Sequence, residues 1–381
     1  MSASSLTCHG QTQELSISPY FAKLKDPRRA HRRLHLLQDI SVIALCATIA
    51  GAKDWQEIVI FGRNRIDWLK RFLQLPHGIP SHDTFERVFD HINPRAFQNC
   101  FRNWIRVIQE KLNIKHIAID GKTLRSSGEG PLKSLHLVSA WATAQRLSLG
   151  QVAVDEKSNE ITAIPALLDL LDIKGAFVTI DAMGCQKEVA KQIVDRGGDY
   201  VLPVKDNQPN LASDIINTFV AAQEVDYQGY EYDTYTTEEC GHGRQEKREY
   251  TVLYNLDDIT DRDKWENLKV IGTCFRQRTV GGKMSEETTL FISSRRAGAK
   301  VLGEALRGHW GIENPLHWQL DITFGEDDSS VSDRNIAQNL ALLRKLALAL
   351  LQRNKEKASI ATKRYMATLD SEYLQKIIAD G

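Results

Sequence analysis

The segments HIAID (116–120) and FVTID (177–181) each consist of a short apolar run that ends in an aspartate. A run of about five apolar residues is typical of a buried strand, which predicts Asp120 and Asp181 where two strands reach solvent. Open α/β sheets bind ligands at the carboxyl ends of their strands. If the two strands are neighbours, both carboxylates reach one point. The alternative is that each aspartate only caps the turn after its strand.

A third acidic position lies much later, in the Trp-rich segment HWGIENPLHWQLDITFGEDD (309–328). Residues four apart share a face of a helix. This spacing predicts a polar stripe made of His309, Glu313, His317 and Asp321. We interpret Trp310 and Trp318 as residues that pack the helix against a sheet, and the acids at 326–328 as a solvated loop.

Two strand-end acids and Glu313 on a helix can converge on a pair of divalent metal ions. Hard oxygen ligands suit Mg²⁺ or Mn²⁺. Two such ions can hold the attacking and leaving oxygens of a phosphodiester displacement. A nuclease or strand transferase is therefore the leading hypothesis. A zinc site within 309–321 is a weaker alternative, because the segment has no HExxH pair.

The distribution of charge favours a DNA partner. The 381-residue chain has a net charge of zero, but residues 1–119 contain 17 Lys and Arg against 10 Asp and Glu. The remainder has 32 against 39. A basic front part and an acidic back part fit a DNA-contacting region joined to a carboxylate-rich site, although chance surface asymmetry gives the same pattern.

The composition predicts a cytoplasmic protein. The six cysteines are scattered without a CxxC pair, which is typical of a reducing compartment. The first residues lack the basic and apolar regions of a signal peptide. The most apolar stretch, ISVIALCATIAGA (40–52), is too short to span a bilayer and favours a buried helix, so no membrane partner is expected.

The order of patterns predicts an α/β fold with a mixed sheet. Apolar alternation indicates further strands at 135–143, 148–156 and 200–204 and helices at 161–172 and 186–198. The predicted organisation is a disordered tail (1–18), a helical DNA-binding region (19–112), a catalytic core (113–205 and 301–352), a β-rich insertion (206–300) and a C-terminal helical tail (353–381).

Several polar side chains near these acids are candidate DNA ligands, because cations beside a carboxylate cluster can hold phosphates in register. His242, Arg244 and Arg248 alternate along one predicted strand and would form a basic ridge; an exposed hairpin with ordinary charges is the alternative. The other candidates are Lys122, Arg125, Lys205, Asn207, His309, Asn314 and His317. The alternative for the residues that follow the strands, at 122, 125, 205 and 207, is that they are counter-ions of the same acids.

Six segments together resemble the H-repeat-associated transposases, insertion-sequence transposases of the DDE superfamily, and the resemblance covers nearly the whole chain. The segments are IAIDGKTLR (117–125), DEKSNEITAIPALLDLLDIKG (155–175), TIDAMGCQK (179–187), GDYVLPVKDNQ (198–208), HGRQEKR (242–248) and HWGIENPLHWQLDITFGEDDS (309–329).

The resemblance implies an RNase H-like catalytic core interrupted by a mainly β insertion, with Asp120, Asp181 and Glu313 as the catalytic, metal-binding acids. It implies Mg²⁺-dependent hydrolysis at the ends of the element, followed by direct transesterification into target DNA. A homodimer on paired double-stranded DNA ends, acting at the nucleoid, is a further expectation. The alternatives are a metal-dependent endonuclease without strand transfer and a catalytically silent DNA-binding relic.

One departure concerns the third acid. Broader relatives carry an Arg four residues before it and a Lys seven residues after it, where this chain has His309 and Leu320. The form HWxxENxLHWxLD, typical of the group it resembles, is kept. Glu313 is therefore the expected third acid, with Asp321 and Asp327 as reserve acids.

Overall fold

The computed structural model describes residues 18–109, 112–125, 134–154, 159–241, 243–329, 331 and 333–379. The predicted disordered tail lies outside these residues except for Ser18, and His242 lies outside them too. The helices are α1 Ser18–Phe21, α2 Leu37–Ile49, α3 Trp55–Asn64, α4 Ile66–Leu69, α5 His82–His91, α6 Pro94–Gln109, α7 Glu160–Leu168, α8 Lys187–Asp195, α9 Pro209–Glu224, α10 Ala299–His309, α11 Arg334–Arg353, α12 Ile360–Leu369 and α13 Ser371–Ala379. Short 3₁₀-helices lie at Ala30–Arg32, Ala182–Gly184, Arg262–Lys264 and Trp310–Ile312, and a π-helix at Glu313–Thr323.

The strands are β1 His116–Leu124, β2 Leu135–Ala142, β3 Leu147–Ala153, β4 Phe177–Ile180, β5 Asp199–Val204, β6 Tyr232–Gly241, β7 Arg244–Leu253, β8 Val270–Val280 and β9 Lys283–Ser293. The described residues form two compact units. One draws on the described residues within 18–108, on Arg125 and on those within 319–379; the other draws on the described residues within 109–124 and 134–318. These bounds differ from the predicted domains, since α11 belongs with the N-terminal helices.

The first unit is built around α2. Every residue from Asp39 to Ile49 is buried, as expected for the apolar stretch 40–52. Helices α3, α5, α11 and α13 pack around it. Within the described part of the chain, no helix is long and apolar enough to cross a membrane.

The second unit contains the sheet, whose described strands follow the order β3-β2-β1-β4-β5-β9-β8-β7-β6. Strands β1, β4 and β5 run parallel, and β2 runs antiparallel to β1. The central residues of these parallel strands are apolar because both faces are covered; Ile117, Ala118 and Ile119 have no exposed surface. The predicted RNase H-like mixed sheet is confirmed in the strands β3-β2-β1-β4-β5.

Strands β6–β9 form the antiparallel meander expected within 206–300, and β9 pairs with β5, so the meander continues the core sheet. One part of this region was wrongly predicted to be β-rich. Residues Pro209–Glu224 form α9, which has Pro at its start and buries Leu211, Ile215 and Phe219 at helical spacing. Helix α10 then packs Leu302 and Leu306 on the apolar core shared by β5, β7, β8 and β9.

Asn339 ties α11 to the end of α5 in the first unit. Its side-chain amide is fully buried and donates hydrogen bonds to the carbonyls of Phe89 (2.8 Å) and Ile92 (2.9 Å). Asn339→Ala leaves two buried carbonyls without a donor, each costing about 1–3 kcal/mol. We expect the free energy of unfolding to fall by about 2–4 kcal/mol in urea titrations.

The matched control is Asn64→Ala, which removes an exposed amide that bonds within its own helix. That variant should change the free energy of unfolding by less than about 0.5 kcal/mol. Equal effects of the two substitutions would contradict the role assigned to Asn339.

Candidate active site

The register between β1 and β4 brings the first two acids together. The parallel pairing runs from His116↔Phe177 to Ile119↔Ile180. An aspartate follows the last pair on both sides: Asp120 comes after Ile119, and Asp181 comes after Ile180. Neighbouring strands lie about 4.8 Å apart, so the two aspartates begin at the same level of the sheet. The point where the strand order reverses is where open α/β sheets bind ligands.

The prediction that Asp120 ends its strand is wrong. Strand β1 continues to Leu124, because β2 keeps pairing with it through Asp120↔Ser139 as far as Leu124↔Leu135. Only the pairing with β4 stops. Asp120 therefore lies inside a strand, on the side where the sheet opens between β1 and β4.

Asp181 does follow the end of β4, and it also caps the next turn. Its Oδ1 accepts a hydrogen bond from the Gly184 N–H (3.1 Å) at the end of the 3₁₀-helix Ala182–Gly184. The side-chain amide of Asn207 donates to the Ala182 carbonyl (2.8 Å). The Asn207 side chain, a predicted DNA ligand, thus holds the backbone that carries Asp181.

Glu313 is brought to the sheet by the segment that follows α10. A Cβ at Gly308 would collide with the ring of His116 on β1, so glycine lets α10 approach the strand closely. His116 itself bonds Thr179 on β4, with 2.8 Å between Nε2 and Oγ1. The 3₁₀-turn Trp310–Ile312 follows, and a π-helix begins at Glu313. Pro315 lacks the N–H that a regular α-helical bond requires.

All three acids line one cavity of about 470 Å³ in the second unit. The predicted DNA ligands Lys205, Arg248 and His309 line it too. The polar stripe predicted from His309 to His317 is therefore close to Asp120, although a π-turn and a 3₁₀-turn replace the regular helix.

Asp120 lies among imidazoles. Nε2 of His317 is 3.2 Å from its Oδ2, near enough for an ion pair but not aligned for a hydrogen bond. Burial by itself raises the pKa of Asp120, but the neighbouring His317, helped by His309, brings that pKa below its ordinary value. Asp120 is therefore ionised at neutral pH.

Asp181 has the opposite environment. Burial raises its pKa above the ordinary value. The negative charges of Glu160 and Asp120 raise it further, against the effect of the Gly184 N–H. Among the described residues, no Lys, Arg or His forms an ion pair with Asp181. Within that part of the chain, the ionised carboxylate thus lacks a compensating cation.

The remaining predicted site residues are not among those that line the cavity of the three acids. Lys122 lies two residues beyond Asp120 on the same face of β1. Asn314 is exposed beside Glu313. Arg125 is 84% exposed, and its Nε lies 3.7 Å from the reserve acid Asp327 in the first unit. The reserve acid Asp321 also belongs to that unit.

The predicted basic ridge is partly neutralised. Arg244 and Arg248 lie on one face of β7, but the buried Glu246 lies between them. Arg248 contacts Glu246, and Nε of Arg244 is 3.6 Å from the same carboxylate. His242, the third member of the ridge, is outside the described residues.

The prediction that Trp310 and Trp318 pack against the sheet is wrong. Their exposed fractions are 59% and 50%. Ile312 and Leu316 are fully buried and occupy the inward face of the same segment, so the indoles remain outside. Trp310 lines the cavity.

Further charged residues near the acids were missed, among them Arg276, Arg307 and Glu160. Arg276 on β8 and Arg307 on α10 line the cavity, and each contacts a glutamate, Glu287 and Glu239 respectively. Strand alternation through Cys274 and Arg276, which share a face, could have indicated the first. Glu160 is the third; it opens α7 in the motif NEIT, and nothing in local sequence shows that it approaches β1.

The donor set suits a hard divalent cation. Within the described ranges, no three His, Cys, Asp or Glu side chains are close enough to hold a metal ion as they stand. Mg²⁺ usually binds through one or two carboxylates together with waters and substrate phosphates. Asp120 and Asp181 meet that requirement, and the uncompensated Asp181 carboxylate favours a cation.

Comparisons with known proteins identify the family of the chain. Residues 111–350 match the family described as transposase DDE domain, and residues 18–105 match the DDE_Tnp_1-associated family. The chain is 38% identical to the "H repeat-associated putative transposase YhhI" of Escherichia coli (strain K12), over 93% of this chain and 96% of that one. It is 39% identical to the "Putative transposase YncI" of Escherichia coli O157:H7, over 96% and 94%.

Among solved structures, the chain is similar to a piggyBac transposase synaptic complex with hairpin DNA, with a TM-score of 0.42 and 10% identity over 95% of this chain and 77% of that one. A similarity of this size is too low to transfer a function.

His116 makes stability depend on pH. Burial, together with the charge of His309, lowers the pKa of His116 from 6.5 to about 4. Below pH 6.5 the imidazole of His116 is protonated in the unfolded chain but stays neutral in the folded protein. The contribution of His116 to the free energy of unfolding is therefore fully present above pH 6.5. It is lost as the pH falls to about 4, by roughly 3 kcal/mol in total. Urea titrations from pH 7 to pH 4 should show this loss.

In His116→Gln the part of the loss that comes from this imidazole should disappear, whereas His91→Gln, at an exposed histidine, should retain it. A His116 resonance that titrates near pH 6.5 in the folded protein would contradict the assignment.

Proposed function

This chain belongs to the DDE transposase family, and from that premise we propose that it cuts DNA at the ends of its insertion sequence and joins the freed 3′ ends to a target duplex. The observation that carries the proposal is the common level of Asp120 and Asp181 on neighbouring parallel strands, with Glu313 lining the same cavity. Water would cut the first phosphodiester, and the 3′-OH would attack the target strand directly, without a covalent protein–DNA intermediate.

Asp120, Asp181 and Glu313 are the residues that would hold Mg²⁺, or Mn²⁺ in its place. When bound there, divalent cations would lower the pKa of the attacking water or hydroxyl and stabilise charge on the phosphate. The ionised Asp120 would be ready to bind, and a cation would relieve the unfavourable environment of Asp181.

Basic side chains of the same cavity would position the DNA. Lys205, Arg276 and Arg307 line the cavity, and cations of this kind fix a nucleic-acid backbone without reading its sequence. Because glutamates accompany Arg276 and Arg307, the exposed Lys205 offers the least compensated charge of the three. The exposed indole of Trp310 adds a surface on which a base can stack.

Double-stranded DNA is therefore the proposed partner, both as element ends and as target, and such a substrate would place the protein at the nucleoid. Two copies acting on paired ends would complete the assembly expected of the family. Sedimentation with and without DNA ends would test that stoichiometry.

Removal of one acid should abolish the chemistry but not the fold. Asp120→Asn, Asp181→Asn and Glu313→Gln should each reduce cleavage and joining by at least about a hundredfold, as expected for loss of an essential electrostatic group. The assay uses a linear duplex that carries the ends of the encoding element, a supercoiled target and Mg²⁺. Asp257→Asn, at an exposed side chain, is the control and should remain active.

The products distinguish the alternatives. Joined products support transposition, whereas cut ends that never join would indicate an endonuclease. DNA binding without cleavage, unchanged when all three acids are replaced, would indicate a silent DNA-binding protein and overturn the proposal.

Lys205 gives a separate test of the basic side chains proposed to bind DNA. Lys205→Ala should weaken binding to duplexes of any sequence. It should also reduce the slope of log K against log salt concentration by about one unit, since one phosphate contact is lost. Fluorescence anisotropy at several salt concentrations measures this slope.

Lys174→Ala, at an exposed lysine that does not line the cavity, should leave the slope unchanged. The same slope in both variants would remove Lys205 from the interface.

A further inference from the structure

Glu160, in the first turn of α7, approaches the catalytic strands from a direction that the three acids do not use. Its side chain is 20% exposed, and Oε1 lies 2.5 Å from Nε2 of His136 on β2. Nδ1 of His136 is in turn 2.8 Å from Oγ1 of Thr123 on β1. The carboxylate is thus held at a defined position beside β1 by a chain of polar contacts.

Gly121 makes this approach possible. A Cβ at Gly121 would collide with the carboxylate of Glu160 and with the ring of His136. Side chains alternate between the faces of a strand, so Gly121 and Thr123 face α7 while Asp120 faces the other side. Glu160 therefore lies across the strand from Asp120, next to the opening where the pairing of β1 with β4 has ended.

The negative charge of Glu160 acts on the same centre. Besides burial, the charges of Glu160 and Asp120 raise the pKa of Asp181. Three carboxylates close to one strand opening repel one another, and among the described residues it is His136 that contacts the carboxylate of Glu160. Such a concentration of negative charge is unfavourable for folding, but it attracts a divalent cation.

We propose that Glu160 is a fourth acidic residue of this centre, a positioning residue that strengthens divalent-cation binding at Asp120 and Asp181 from the opposite face of the sheet. The inference rests on the proposed function, since it assumes the metal site. Partners outside the ligand shell change metal affinity by about 10–100-fold, which sets the scale of the expected effect.

The test is the affinity of the full-length protein for Mn²⁺ alone, measured without DNA by electron paramagnetic resonance of the free ion. Glu160→Gln keeps the shape of the side chain and removes its charge, and should weaken Mn²⁺ binding about tenfold. Glu160→Asp keeps the charge and should recover part of the affinity. Glu188→Gln, in the exposed first turn of α8, is the matched control and should bind as the wild type does.

Asp181→Asn separates this inference from the proposed function. If the wild-type protein binds no Mn²⁺, or Asp181→Asn binds it unchanged, the metal site itself fails and the inference fails with it. If Asp181→Asn loses binding while Glu160→Gln retains wild-type affinity, the proposed function stands and Glu160 has only a structural role.

Thermal unfolding without metal measures any structural role of Glu160 separately. A purely structural contact with His136 predicts that Glu160→Gln lowers the melting temperature and leaves Mn²⁺ affinity unchanged, which would overturn the proposal. A folded Glu160→Gln protein with weakened Mn²⁺ binding supports it. If Glu160→Gln does not fold, Glu160→Asp decides, because unchanged affinity for Glu188→Gln and reduced affinity for Glu160→Asp would still assign the effect to position 160.

Discussion

The parallel pairing of β1 with β4 is the constraint on which the candidate site depends. Four register pairs set Asp120 and Asp181 at one level of the sheet. A slip of one residue would turn one of the two aspartates to the other face, since side chains alternate. The residues that precede the acids disfavour this slip, because the large Ile117 and Ile119 would exchange faces with the small Ala118 in a close-packed core. The same residues that form the core therefore align the acids.

The features that could be predicted are those encoded in short segments. The apolar runs before Asp120 and Asp181 indicated strands, and the Trp-rich segment indicated Glu313, which lines the same cavity as the two aspartates. Strand β1 continues past Asp120 because it pairs with β2. The residues GKT at 121–123 are polar and do not indicate a strand. Trp310 is exposed because Ile312 and Leu316 occupy the inward face of its segment. The position of Glu160 depends on a glycine 39 positions earlier in the chain, and no local pattern reports such a contact.

The two aspartates differ in charge environment although their positions are nearly equivalent. Asp120 has an imidazole beside it, which brings its pKa below the ordinary value. Asp181, as far as the described residues show, is buried among backbone donors and other acids, and its pKa is raised. Buried carboxylates that lack a counter-ion reduce the stability of the folded state. This cost falls next to β4 and to the residues of β1 before Asp120, which are largely buried. A site of this kind gains stability from what it binds.

The pairing of β9 with β5 means that the meander is not a detachable module. Val201, Leu202 and Val204 on β5 have their outer hydrogen-bonding partners on β9. A shortened gene product that lost β6–β9 would expose this apolar strand as an open edge, and such edges template association with other chains. Internal deletion would thus yield an aggregation-prone fragment rather than a smaller enzyme. The continuous sheet ties the survival of the core in a cell to the integrity of the segment inserted within it.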